Sequence, residues 1–133
     1  MRVFSTRDAW HMRGMLGAIV LAGLSFSSAR PAIAQDASAG REVFTQCSVC
    51  HSIDGTNGTG PTLRGVVGRQ AGTVAGFRYS RAMKAANLTW DAQRLADYLA
   101  DPQKVVPGNV MPFAGLSDAK QRADVIAYLA TLK

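Results

Sequence analysis

Cysteine and histidine are scarce in this chain of 133 residues: there are two of each, and His51 is the only histidine after residue 34. A structural zinc site needs four cysteine, histidine or carboxylate ligands at tetrahedral spacing. Cys47, Cys50, His51 and the distant His11 do not supply one. No strand pattern precedes Cys47 and no βαβ pattern surrounds it, which argues against a thioredoxin-like thiol pair. A disulfide between Cys47 and Cys50 would close a very tight loop and leave His51 without a role. Long apolar runs are missing too. The longest, Gly14 to Phe26, has 13 residues, or 16 if carried to Ala29 before Arg30 and Pro31 end it. A spanning helix wants about 20. The formal charge of +6 is not gathered into a basic cluster interleaved with aromatics, so nucleic acid is not an expected partner.

What the chain does have is Cys47-Ser48-Val49-Cys50-His51. C-x-x-C-H is the spacing at which a c-type haem is attached. Two thiols three residues apart reach two vinyl groups of one porphyrin and form thioethers. The next residue, His51, is carried under the ring, where one imidazole nitrogen can bind the iron. Haem c, one per chain, is therefore the expected cofactor, with Cys47 and Cys50 as its covalent attachment points.

The first 34 residues read as a secretory leader. Arg2, Arg7 and Arg13 form a basic start, the apolar run follows, and Ala32-Ile33-Ala34 is an A-x-A cleavage signature. Residues 1–34 are expected to be a cleaved signal peptide, with residues 35–133 as one domain in the periplasm. Half of the net charge leaves with the leader, whose four arginines and one aspartate give +3. The remaining 99 residues cannot bury a large core unaided. A flat apolar cofactor supplies a centre to fold around.

The expected fold class is all-α, helices and long loops wrapped around the haem. Asp36 or Ser38 can cap a first helix toward Cys47. Residues 51–78, rich in glycine and threonine, form a long ordered loop, which is tolerable in a compact domain if it wraps a cofactor. Ser80 can cap a short helix from Arg81 to Ala86, stopped at Asn87. Thr89 caps another, with Ala92, Leu95, Ala96 and Leu99 on one apolar stripe and Pro102 ending it. Ser117 caps the last, where Val125, Ile126, Leu129 and Leu132 are buried while Asp118, Lys120, Arg122 and Asp124 stay wet.

A second histidine on the same iron is excluded within one chain, and the remaining soft candidates for the other axial position are Met83 and Met111, the two methionines after residue 34. Met83 lies in a short helical segment, where methionine more often packs. Met111 sits in Val106-Pro107-Gly108-Asn109-Val110-Met111-Pro112-Phe113, a loop stiffened by two prolines and a glycine. That stiffness is what fixing a weak thioether near iron requires, so His51 and Met111 are the expected axial pair.

These residues carry a resemblance. With Gly60-Pro61-Thr62-Leu63, Gly68-Arg69, Gly76-Phe77-Arg78-Tyr79, Trp90, Tyr98-Leu99 and Ile126-Ala127-Tyr128-Leu129, the chain resembles the class I cytochromes c of the mitochondrial and bacterial cytochrome c₂ type over residues 36–133. The resemblance implies a small class I cytochrome c fold. It implies that the Pro61 carbonyl accepts a hydrogen bond from the far nitrogen of His51. Arg69, Tyr79 and Trp90 would hold a buried propionate, Tyr98 would donate toward the Met111 sulfur, and Gly40 would let the first and last helices cross near Phe44 and Tyr128. Three positions depart from the pattern. Met83 replaces an Asn that orders water, Asn109 replaces a Thr beside a propionate, and Val110 replaces a lysine on the exposed haem edge. With Gln103 before Lys104, the last of these thins the ring of lysines used for docking.

The expected function is a soluble one-electron carrier, not an enzyme, with no small-molecule substrate and a monomeric state. Its partners would be transient redox proteins: a membrane cytochrome complex, an oxidase, a reaction centre or a dehydrogenase. Lys104, Arg64, Arg78 and Arg81 are candidates for steering toward acidic partner surfaces. Two alternatives follow from the same motif. One is a haem enzyme or sensor with an open sixth position, which requires that Met111 does not bind; the other is a membrane-tethered electron-transfer subunit with its leader retained.

Overall fold

The structure, a computed structural model, describes residues 34–133. The expected leader and its cleavage signature, apart from Ala34, lie outside the described residues. Within them the chain forms five helices: α1 (Ala37–Ser48), α2 (Arg81–Ala85), α3 (Ala92–Ala100), α4 (Pro102–Val105) and α5 (Ala119–Thr131). No helix among the described residues is long and apolar enough to cross a membrane. The all-α expectation holds, with one isolated antiparallel bridge between Gln70 and Thr89.

The start of α1 follows from Asp36, whose carboxylate accepts from the Ser38 and Ala39 amides at 2.8 and 3.3 Å. These amides have no partner inside the helix, so the cap replaces the water they would otherwise keep. α1 lies across α5, and Gly40 sits at the crossing. A Cβ there would overlap the Asp124 carbonyl and lie 2.9 Å from the Tyr128 Cβ. Only glycine permits that approach. One turn on, Phe44 meets Tyr128 with ring centroids 5.4 Å apart and ring planes tilted by 54°. The core continues through Val125, Ile126 and Leu129 of α5 to Leu95 and Tyr98 of α3. Fully burying one such side chain is worth about 1.5–3 kcal/mol.

Several local expectations are corrected. α3 is capped by Asp91, whose carboxylate accepts from the Arg94 amide at 2.7 Å, and not by Thr89. Thr89 is engaged in the bridge to Gln70, and the Trp90 amide donates to the Arg69 carbonyl at 2.9 Å, so the chain there is extended. Pro102 does not merely end α3. It opens α4, where its missing N–H costs nothing. α5 is capped by Asp118 and not by Ser117. Asp124, expected to be wet, is 4% exposed. Its carboxylate accepts from the Asp36 amide at 2.9 Å and from Lys120 Nζ at 2.8 Å, so burial is compensated. Lys120 holds the Asp124 carboxyl below the usual carboxylate range, aided by the Asp36 amide.

Between α1 and α2 the long loop is ordered by specific bonds. Asn57 donates to the Ala75 carbonyl at 2.9 Å and accepts from the Thr62 amide at 3.1 Å, joining segments 18 residues apart. The Gly65 amide donates to the Leu132 carbonyl at 2.7 Å and ties the loop to the end of α5.

Candidate functional site

The long loop, α3 and the segment after α4 enclose a cavity of about 400 Å³, a size usual for a site that buries a large organic ligand. Cys47, Cys50 and His51 form one wall and Met111 belongs to the same lining. α1 ends on this wall: the Cys50 and His51 amides both donate to the Cys47 carbonyl, at 3.1 and 2.9 Å. This turn presents the two thiols and the imidazole together. Burial pushes the Cys47 thiol up. Among the described residues no further histidine, cysteine or acidic side chain joins Cys47, Cys50 and His51 to make a metal-holding group, so the zinc reading finds no fourth ligand.

His51 Nδ1 is 2.7 Å from the Pro61 carbonyl. A carbonyl only accepts, so the proton is on Nδ1 and the Nε2 lone pair is free for a metal. Gly60 makes room for the ring. A Cβ at this position would lie 2.7 Å from Nδ1 and 2.9 Å from Nε2, well inside contact distance. Gly60 is itself fixed by its amide, which donates to the Cys50 carbonyl at 2.8 Å.

The polar lining sits at identifiable points. Arg69 is half-buried, donating from Nη1 to the Arg64 carbonyl and from Nη2 to the Thr62 carbonyl, each at 2.9 Å. It has no carboxylate partner among the described residues, where Lys120–Asp124 is the one ion pair. Burial lowers its pKa from the ordinary value. Tyr79 lines the same cavity, its ring edge-on to Phe77 with centroids 4.8 Å apart. Burial raises its phenol, an effect offset in part by the Val74 backbone and the Arg69 charge. Trp90 and Tyr98 pack with centroids 4.8 Å apart, and burial pushes the Tyr98 phenol up to about 12. Asn109 is 5% exposed and accepts at Oδ1 from the Met111 amide at 2.7 Å, while its Nδ2 is buried without a partner.

A haem fits these residues. The apolar wall suits a porphyrin, two thiols and a free imidazole nitrogen lie together, and an unpaired guanidinium and an orphaned amide donor call for anionic oxygens such as propionates. The structure brings together Cys47, Cys50, His51, Pro61, Arg69, Tyr79, Trp90, Tyr98, Asn109 and Met111 on one cavity. It also places Met83 there, so both candidate methionines face the same space. Met83 is on α2, where its amide donates to Ser80 Oγ at 3.1 Å; Met111 is on the loop held by Asn109.

The four steering candidates are not equivalent. Arg78 is exposed on the cavity rim and Arg81 is exposed at the start of α2. Arg64 donates from Nε to the Lys133 carbonyl at 2.8 Å, and Lys104 lines a separate cleft with Asp97 and Asp101. Sequence reasoning missed Gln103 as a loop contact. Its Nε2 donates to the Asn109 carbonyl at 2.7 Å, a pairing with no local sequence signal.

A family model described as cytochrome c matches residues 37–133. The chain is 44% identical over 117 residues to cytochrome c2 of Blastochloris viridis, a match covering 86% of this chain and 89% of that one. It is 52% identical over 99 residues to cytochrome c2 iso-2 of Magnetospirillum molischianum, covering 74% of this chain and 99% of the relative. Among solved structures, cytochrome cH from Methylobacterium extorquens superposes with a TM-score of 0.70 at 50% identity, over 72% of this chain and 98% of that one.

Proposed function

This chain belongs to the cytochrome c family, as an electron-transfer protein with one covalently bound haem c, and on that footing we propose that it is a soluble periplasmic one-electron carrier with His51 and Met111 as axial ligands. The haem supplies an iron that alternates between ferrous and ferric. Pro61 fixes the His51 ring and its tautomer through the 2.7 Å contact, which makes the imidazole a better donor. Met111 offers a soft thioether, which favours the ferrous state relative to a harder ligand and raises the potential. Arg69 and Asn109 take the carboxylate end, and Trp90, Tyr98 and the core beneath them exclude water. The observation that carries this reading is His51 Nδ1 on the Pro61 carbonyl, in a cavity that also holds Met111.

Residues 1–34 act as a cleaved leader in this reading, and the mature chain works as a monomer. Its redox partners dock transiently at the cavity rim. Arg78 and Arg81 steer, and Val110, 77% exposed on the Met111 loop, adds an apolar contact. The ferric protein challenged with imidazole or cyanide tests the axial pair. The native protein should bind these ligands only slowly, as the thioether leaves, whereas Met111→Ala should bind them at once and show a lower potential. Immediate binding by the native protein would instead identify a haem enzyme or sensor with an open position. The mass of the mature N-terminus distinguishes a free carrier from a tethered subunit.

A further inference from the structure

The loop that carries Met111 is held from outside by one side chain with no redox chemistry of its own. Gln103, on α4, donates from Nε2 to the Asn109 carbonyl at 2.7 Å and accepts at Oε1 from the Gly108 amide at 3.2 Å. One planar amide thus grips two successive residues of the turn. Asn109 passes the grip on, since its Oδ1 accepts from the Met111 amide at 2.7 Å. The base of this chain is firm. Pro102 is fully buried, the Val106 amide donates to the Pro102 carbonyl at 3.0 Å, and Asp101 caps α4 by accepting from the Lys104 amide at 3.1 Å. Around the clasp the loop is anchored only at alternate residues: Val106 and Asn109 are buried and Met111 and Phe113 pack on the core, whereas Gly108, Val110 and Pro112 are exposed.

A neutral thioether is a weak ligand, so its residence on iron depends on how rarely its backbone swings away. We propose that Gln103 is a positioning residue that sets how often the Met111 thioether leaves the iron. This rests on the reading of Met111 as the axial ligand. Gln103 touches neither the iron nor the sulfur; it acts through Asn109 on the Met111 backbone. Losing a clasp of two hydrogen bonds at a partly exposed site should speed departure about tenfold.

The test uses the ferric holoprotein and imidazole as the probe. At saturating imidazole, the observed binding rate becomes the rate at which the thioether leaves. Gln103→Ala should raise this limiting rate about tenfold, with the spectrum before imidazole unchanged. Gln93→Ala is the control. Gln93 also donates one side-chain bond on an exposed helix face, to Asp97 at 3.0 Å, within α3 rather than to the loop. It should leave the limiting rate unchanged while the guanidinium midpoints of the two variants move alike. Should Gln103→Ala fail to fold, Gln103→Glu keeps the shape and the acceptor for Gly108, loses the donor to Asn109, and should also raise the rate. Unchanged limiting rates in the Gln103 variants, or an equal rise in Gln93→Ala, overturn the proposal alone. A native protein that binds imidazole as fast as Met111→Ala overturns the axial role of Met111 and this proposal with it.

Discussion

Replacing Gly60 by alanine tests the close approach of the backbone to the His51 ring. The added methyl would lie 2.7 Å from His51 Nδ1 and 2.9 Å from Nε2, so the ring must tilt or the loop must retreat. Retreat is resisted by the 2.8 Å bond from the Gly60 amide to the Cys50 carbonyl, and tilting strains the 2.7 Å contact with Pro61. Overpacking of this kind costs about 1–3 kcal/mol, and loss of the His51 bond adds about 1 kcal/mol. For a domain of this size, a total of about 2–4 kcal/mol lowers the melting temperature by roughly 10–25 °C. Gly65→Ala is the matched comparison, because Gly65 has φ +64° and nothing within 4 Å of a Cβ. It should cost only the left-handed backbone term, about 1–2 kcal/mol. The assay is thermal unfolding followed in the haem absorption, with the His51 Nδ1 proton observed by NMR. A Gly60→Ala protein that melts no lower than Gly65→Ala, with that proton unmoved, refutes the close-approach argument.

The other two predictions concern pH. Asp124 titrates below its ordinary value of 3.8 in the folded protein, so its stabilising contribution is present above about pH 4 and is lost as pH falls through the folded-state value. Melting temperatures of native protein and Asp124→Asn should therefore differ at pH 7 and converge toward pH 2; a constant difference would show that the carboxylate does not act through its charge. Tyr98 behaves in the opposite sense, its phenol being raised from 10.0 to about 12. Its contribution is complete below pH 10 and fades as pH rises toward 12, so Tyr98→Phe should flatten the alkaline fall in stability, and parallel curves from pH 9 to 12 would contradict the burial argument.

What could be read from the sequence was local or motif-borne. Cys47, Cys50 and His51 announce their chemistry by spacing alone, and helical period sets the stripe of Leu95, Ala96 and Leu99, although Ala92, expected on the same stripe, is exposed at the start of α3. Of the two caps expected for α1, Asp36 and Ser38, it is Asp36 that takes the role, accepting from the Ser38 and Ala39 amides. Thr89 and Ser117 were reasonable caps by residue type, but each lost to an aspartate one or two places on. For Thr89 the competitor was a bridge to Gln70, a residue distant in sequence. Asp124 is the plainest case. Its burial is made tolerable by the Asp36 amide, 88 positions away, and no pattern within α5 reports that partner. The same holds for Gln103, whose clasp depends on how α4 and the following turn fold back on each other. The roles of Arg69 and Asn109 came from family resemblance. Their physical signature, an unpaired guanidinium and an orphaned amide in one cavity wall, exists only in three dimensions.

The central claim is that the iron changes oxidation state while His51 and Met111 keep both axial positions filled. Carbon monoxide tests it directly, since it binds ferrous haem wherever a position is open. The reduced protein under carbon monoxide should keep its spectrum unchanged and then reoxidise in a single reversible one-electron step. Prompt formation of a carbon monoxide adduct by the native protein at neutral pH would contradict the account.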